Sequence, residues 1–355
     1  MLKTSSLLFF LLFISALFYS LAGSKSSSSN IKHKQRGVSW VAAPEAVTDA
    51  DFEKLVANNV NWIVQTPFGW QKRYDAPGIK LATSGGFYWG ETDAGIVTTA
   101  RLARKFGIKT LLKPHIWLHR NGDNKWRAEI EMDSEEEWQQ WFANYRKFIV
   151  HYAWLAEKNG IEALSIGTEL YTSAVKRQQD WRNLIADVRK TYHGKLTYSA
   201  NWYLEFEEIQ FWDALDFIGI QAYFPLTEKE NPTLEELKAG WQPHREAIEK
   251  LSRKFGKPVV FTEIGYKSTS DTAVKPWEWP GRSRQAATDA ELQTQANCYE
   301  AFFQTFWDKE WCAGAYFWKW FPKLSHRTGY RGRDFTPQHK PAELVMAKWY
   351  QSTAN

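Results

Sequence analysis

Residues 35–355 predict a single (β/α)8 barrel, and three observations carry that prediction. Short apolar strand-like segments alternate with longer stretches of helical periodicity, which argues for a parallel sheet. The alternation repeats eight times in 355 residues, the number at which such a sheet closes on itself. The first strand is not followed by a glycine-rich phosphate loop, so the signature of a doubly wound open sheet is missing.

Ahead of the barrel, residues 1–22 read as a signal peptide. Lys3 supplies the positive start, residues 7–18 are almost wholly apolar, and Ser20-Leu21-Ala22 fits the small-x-small pattern cut before Gly23. The apolar run is short for a membrane span, and an uncleaved anchor is the rival reading. Residues 23–34, rich in Ser and Lys, read as a disordered leader. The expected location is therefore secreted or periplasmic, with membrane contact only through the signal segment before cleavage.

The barrel elements follow in order. A strand over 36–41 precedes a helix opened by Asp49, Asp51 and Glu53 and ended near Asn58-Asn59. A strand over 61–67 leads into a long loop, 68–91, rich in glycine and aromatics. Thr92-Asp93 caps a helix that stops at Gly107. The third strand covers 110–117. Asp133-Ser134 opens a helix with Trp138, Trp141, Phe142, Tyr145, Ile149 and Tyr152 along it, and Asn159-Gly160 ends it. The fourth strand covers 163–170. A helix through Trp181, Leu184, Ile185 and Val188 precedes the fifth strand, 196–201. A short helix near 205–212 leads to the sixth strand, 215–223. The helix over 233–255 ends at Gly256, and the seventh strand runs into Glu263. After a loop over 267–287, Thr288-Asp289 caps a helix to residue 307. The eighth strand covers 313–320, and a last helix starts near Pro341.

Composition narrows the function. The net charge of +5 is mild, and no basic run is interleaved with aromatics, so nucleic acid is excluded as an expected partner. The two cysteines, Cys298 and Cys312, fall in a helix and at a strand start and read as buried free thiols. The chain holds 20 Trp, 15 Tyr and 22 Phe, more than a core alone needs, and indole faces stack on the apolar C–H faces of sugars.

Two stretches share one form. Ala163-Leu164-Ser165-Ile166-Gly167-Thr168-Glu169 and Val259-Val260-Phe261-Thr262-Glu263 are apolar strands that each run into a glutamate. A carboxylate ending a core strand is costly unless it reaches a polar cleft. Strand alternation then turns Ser165 and Gly167 inward with Glu169, and Val259 and Phe261 inward with Glu263. A lone strand-end glutamate is ordinarily a surface charge; two at the active end of one barrel point to paired carboxylate chemistry. Such a pair is the apparatus of retaining glycoside hydrolysis, in which one acid protonates the leaving oxygen and the other carboxylate attacks the anomeric carbon. His115 and His119 lack a third ligand type nearby, so neither a metal nor another cofactor is expected.

The chain resembles the glycosidase clan of (β/α)8 barrels with catalytic glutamates after strands four and seven, and within it glycoside hydrolase family 113. The matching pieces are Gly37-Val38-Ser39-Trp40, Lys113-Pro114-His115, Gly167-Thr168-Glu169-Leu170, Gln221-Ala222-Tyr223-Phe224, Phe261-Thr262-Glu263-Ile264-Gly265-Tyr266, Pro276-Trp277-Glu278-Trp279 and Phe317-Trp318. They span residues 36–320. The resemblance implies Glu169 as acid/base, Glu263 as nucleophile and Tyr223 as a donor to Glu263. It places Trp318 beneath the sugar, His115 and Asn201 on its hydroxyls, and Trp277 and Trp279 on the cleft wall. Trp40, at the end of the first strand, joins the substrate-facing group. Thr168 stands where most of the clan has an asparagine that grips the sugar 2-hydroxyl, and a hydroxyl does that job with fewer bonds.

The expected protein is a monomeric endo-β-1,4-mannanase. Its rivals are an exo-acting β-mannosidase, a hydrolase of another β-glycan, and a glycan-binding barrel without catalysis.

Overall fold

The computed structural model describes residues 34–81, 88–119, 124–281, 285–324 and 332–351. The expected signal peptide, residues 1–22, and all of the expected leader except its last residue lie outside the described residues. That residue, Lys34, belongs to the fold: it is buried, and its ammonium donates to the carbonyls of Lys309, at 3.1 Å, and Cys312.

Eight parallel strands close the barrel: β1 (Gln35–Trp40), β2 (Trp62–Gln65), β5 (Lys109–Leu112), β7 (Ala163–Thr168), β8 (Lys195–Asn201), β9 (Ile218–Gln221), β10 (Val259–Ile264) and β11 (Cys312–Trp320). Their order around the barrel is the order of the chain, with β1 paired to both β2 and β11. The principal helices are α1 (Asp49–Ala57), α2 (Asp93–Lys105), α3 (Glu135–Asn159), α4 (Tyr171–Lys176), α5 (Gln178–Arg189), α6 (Glu205–Glu208), α7 (Leu234–Phe255), α8 (Asp289–Phe306) and α9 (Pro341–Gln351). Their ends follow the chemistry read from the sequence. Ser134 caps α3 by accepting from the Glu137 amide, and Gly160 closes it at φ +60°, a conformation glycine adopts without strain. Thr233 with Glu236, and Thr288 with Glu291, form reciprocal capping boxes at α7 and α8.

The third strand departs from expectation. It breaks at Lys113-Pro114, and residues His115–Leu118 form a separate strand, β6. Pro114 has no N–H to give a ladder. Beyond it the His115 amide bonds Pro67 O at 2.9 Å, and β6 pairs in parallel with β3 (Phe68–Gln71). β3 pairs antiparallel with β4 (Ile79–Leu81), so the expected loop over 68–91 contains a small side sheet.

Simple alternation also fails at two glutamate strands. Phe261 does not point into the barrel: its ring packs on Phe302 and Phe306 of α8, with centroids 5.0 and 4.9 Å away. Val259 joins the same outer layer, and Val260 fills the barrel interior with Trp62, Val64, Leu111, Ala163, Phe217 and Tyr316. The pairing register of β10 shifts between Phe261 and Glu263, and that irregularity restores the glutamate to the mouth. On β7 the register shifts between Ser165 and Thr168, and a side chain at Gly167 would strike Tyr198 and Trp181 on the outer side. Ser165 does face inward, within 3.0 Å of the Ser199 hydroxyl.

Cys298 and Cys312 are buried and free, and burial pushes both thiols up. Among the described residues no helix is long and apolar enough to cross a membrane.

Candidate active site

Glu169 follows β7 directly and takes a left-handed backbone, φ +53°, which costs a non-glycine residue about 1–3 kcal/mol. Two bonds hold it there. Its amide donates to Ser199 O at 3.0 Å, and the next amide, Leu170 N, donates to the Tyr198 hydroxyl at 2.8 Å. The carboxylate turns into the mouth, where Asn201 Nδ2 donates to Oε1 at 2.8 Å and Arg127 Nη2 lies 3.5 Å from Oε2. Burial raises the Glu169 carboxyl above the usual range, and the negative charge of Glu263 adds to that; Arg127, Asn201 and Lys113 pull the other way without cancelling it.

Glu263 sits in different company. Lys113 Nζ donates to its Oε1 at 2.5 Å, and the Tyr223 hydroxyl donates to Oε2 at 2.9 Å. Lys113 is wholly buried and spends its other two N–H groups on Gln221 Oε1 and Thr262 O, both at 3.1 Å. All three ammonium protons therefore have acceptors, the condition under which a buried charge is tolerable. Burial lowers the Lys113 ammonium, while the neighbouring Glu263 opposes that shift. Burial and then Glu263 hold the Tyr223 hydroxyl well above its usual range, so it remains a donor.

Both glutamates open on one cleft of about 920 Å³. His115 lines it, with Arg127 Nη1 against its Nδ1 at 2.9 Å. A guanidinium only donates, so Nδ1 accepts and the proton sits on Nε2, which has no protein acceptor. Burial and the positive charges of Arg127 and Lys113 keep this imidazole neutral, well below its usual range. Exposed indoles rim the cleft: Trp117 and Trp126 after the third barrel strand, Trp277 and Trp279 after the seventh. Trp277 stacks on Trp202 with centroids 5.1 Å apart, and Trp279 takes the Lys319 ammonium 4.4 Å from its ring centre. Trp318 ends the wall on β11, and the peptide bond after it is cis. No group of three or more His, Cys, Asp or Glu side chains among the described residues is arranged to hold a metal ion.

The sequence profile of Glycoside Hydrolase Family 113 matches residues 35–340. The chain belongs to that family. This glycoside hydrolase is similar to the family 113 β-mannanase AaManA from Alicyclobacillus acidocaldarius, solved in complex with ManMIm. The two share 28% identity at a TM-score of 0.77, over 93% of this chain and 100% of that one. A family 113 β-1,4-mannanase solved as a complex shares 27% identity at a TM-score of 0.75, over 90% of this chain and 99% of that one. The β-glucuronidase of Ruminococcus gnavus, at 14% identity and a TM-score of 0.54 over 85% of this chain, shares the barrel fold alone. No curated protein matches the chain.

Of the residues expected at the site of this family 113 hydrolase, Glu169, Glu263, His115, Asn201, Tyr223, Trp277, Trp279 and Trp318 line the one cleft. Two do not. Trp40 is buried and stacks on Phe52 at 4.9 Å, between β1 and α1, because its strand-end position faces the helix layer. Thr168 is also buried, with its hydroxyl 3.4 Å from Pro114 O, and it is off the cleft wall. Sequence reasoning missed Arg127, which arrives on a short helical turn from an irregular loop with no periodicity to announce it. It assigned no role to Lys113, although a lysine in the middle of an apolar strand was a visible signal of a buried counter-charge. Glu205, at the start of α6, is wholly buried.

Proposed function

We propose that this family 113 hydrolase is an endo-acting β-1,4-mannanase that works by double displacement. The unlike surroundings of its two carboxylates carry the reading. Glu263 accepts from a lysine and a tyrosine, opens on the cleft and is the nucleophile. Glu169, desolvated and raised, holds a proton to give and is the acid/base. In the first step Glu169 protonates the leaving oxygen while Glu263 attacks the anomeric carbon to form a covalent glycosyl ester. In the second, Glu169 takes a proton from water, the water displaces Glu263, and the carboxylate returns to Lys113 and Tyr223. Trp318 serves as the floor of the reacting sugar, Asn201 serves its hydroxyls, and His115 lines the wall beside them. Indoles on two separate arcs of the mouth favour binding on both sides of the scissile bond, as endo cleavage requires. Mannan as substrate rests on the similarity to β-mannanases, and export rests on the N-terminal segment.

The test is hydrolysis of mannohexaose, with cellohexaose beside it. Chromatography following the products, and proton NMR reading the first anomer, should show short mannooligosaccharides from the start in the β configuration. Mannose alone would make the enzyme exo-acting, the α anomer would make it inverting, and faster cleavage of cellohexaose would make it a glucanase.

A further inference from the structure

Behind Glu169 lies a buried pair that lines no part of the cleft. Tyr198, on β8, and Glu205, opening α6, are both fully buried. Tyr198 OH meets Glu205 Oε1 at 2.5 Å, and the other carboxyl oxygen, Oε2, accepts the Asn201 amide at 2.5 Å. The same Tyr198 hydroxyl accepts Leu170 N, the amide that follows the left-handed Glu169. The tyrosine ring has little freedom, being set edge-on against Trp181 at 5.2 Å, Phe211 at 5.7 Å and Trp212 at 6.2 Å.

Two routes therefore run from this pair to one carboxyl group. One passes from Tyr198 to Leu170 N and fixes the backbone turn from which Glu169 projects. The other passes from Glu205 to the Asn201 backbone, and Asn201 Nδ2 then grips Glu169 Oε1. We propose that Tyr198 and Glu205 are positioning residues that hold Glu169 in proton-donating geometry from both sides. The proposal rests on the reading of Glu169 as the acid.

A helix-start carboxylate that merely caps its own turn sits in water. This one is enclosed, at a desolvation cost that a cap alone does not justify. Burial pushes the Glu205 carboxyl up to about 8, with Glu169 adding to the rise and Tyr198, Asn201 and Arg127 opposing it. Near neutrality it is a protonated acid, and glutamine is its neutral isostere.

Acid catalysis is read by leaving group. The full chain and its Tyr198→Phe, Glu205→Ala, Glu205→Gln and Glu169→Ala variants are assayed for kcat/KM on mannohexaose, whose leaving sugar needs a proton, and on 2,4-dinitrophenyl β-mannobioside, whose phenolate does not. Glu169→Ala sets the reference, with a large loss on mannohexaose and a small one on the aryl substrate. Tyr198→Phe and Glu205→Ala should lose about 10- to 100-fold on mannohexaose, part of the 10²–10⁴ a general acid supplies, and within about 3-fold on the aryl glycoside. Glu205→Gln should recover most of the Glu205→Ala loss, because its carbonyl still meets the Asn201 amide.

A purely structural role predicts equal losses on both substrates, and that result, or no loss, overturns the proposal. Should Glu205→Ala fail to fold, Tyr198→Phe and Glu205→Gln decide the matter. Equal losses in Glu169→Ala itself overturn the acid reading, and the positioning role with it. Selective loss in Glu169→Ala without selectivity in Tyr198→Phe overturns the positioning role alone.

Discussion

Replacing Lys113 by methionine tests the electrostatic frame of the nucleophile. Methionine keeps the length of the side chain and removes the charge and three donors, which leaves Glu263 with Tyr223 and strands acceptors on Gln221 and Thr262. Lys113 and Glu263 are both buried, so little solvent screening softens the loss. Removing one partner of such a pair costs about 3–5 kcal/mol. A barrel of about 300 residues loses roughly 0.6 kcal/mol of stability per degree near its melting point, so Tm should fall by about 5–8 °C. Glu263→Gln abandons the ammonium and should cost a similar amount. The double variant removes both charges, and its loss should fall short of the sum of the single losses by at least ~2 kcal/mol. Urea unfolding gives the cycle and calorimetry the Tm. Turnover of mannohexaose by Lys113→Met should drop about 100-fold, since a misplaced nucleophile loses its near-attack geometry. Additive stabilities, or turnover within about 3-fold of the parent, would refute the assignment of Lys113 as the counter-charge that holds Glu263.

Other outcomes follow from the same geometry. Arg127 favours the ionised form of Glu169, so Arg127→Met should let Glu169 keep its proton longer, and the alkaline limb of the kcat/KM profile should move to higher pH. Glu205 binds its proton more tightly folded, at about 8, than unfolded. Its contribution to stability is complete below the ordinary carboxyl range and is lost as pH rises through about 8. Glu205→Gln should flatten that decline, on the order of 4 kcal/mol at most, when urea midpoints at pH 5 and pH 9 are compared. Trp40→Ala should cost about 3–5 kcal/mol of stability and leave KM unchanged, as befits a core residue. Trp277→Ala should raise KM for mannohexaose by about 10-fold through the lost stacking face, with stability measured in parallel to stay near the parent.

The barrel was legible because helix caps and strand runs repeat with a fixed period. The two glutamates were legible as a pair, because two carboxylates that each end an apolar strand of one barrel have few bland explanations. Orientation was less so. Counting alternate residues back from Glu263 sends Phe261 inward, and the register shift in β10 reverses it. Bulges depend on pairing with neighbouring strands and leave no mark in a single strand. The same limit explains Trp40, where the end of a strand predicted exposure and the neighbouring α1 supplied Phe52 instead. Arg127 illustrates a different limit. Its role comes from a loop that returns across the mouth, and only the closed barrel brings it within 3.5 Å of Glu169, 42 residues further along the chain.

Lys34 sets the polarity of the whole particle. It locks the chain to the carbonyls of Lys309 and Cys312 just before β1, at the rim where the strands begin, while the glutamates stand at the rim where they end. Whatever is joined ahead of Lys34, whether a natural anchor, an affinity tag or a solid support, therefore attaches at the pole opposite the cleft. An immobilised enzyme tethered there presents its mouth outward, toward a polymer too large to diffuse beneath it.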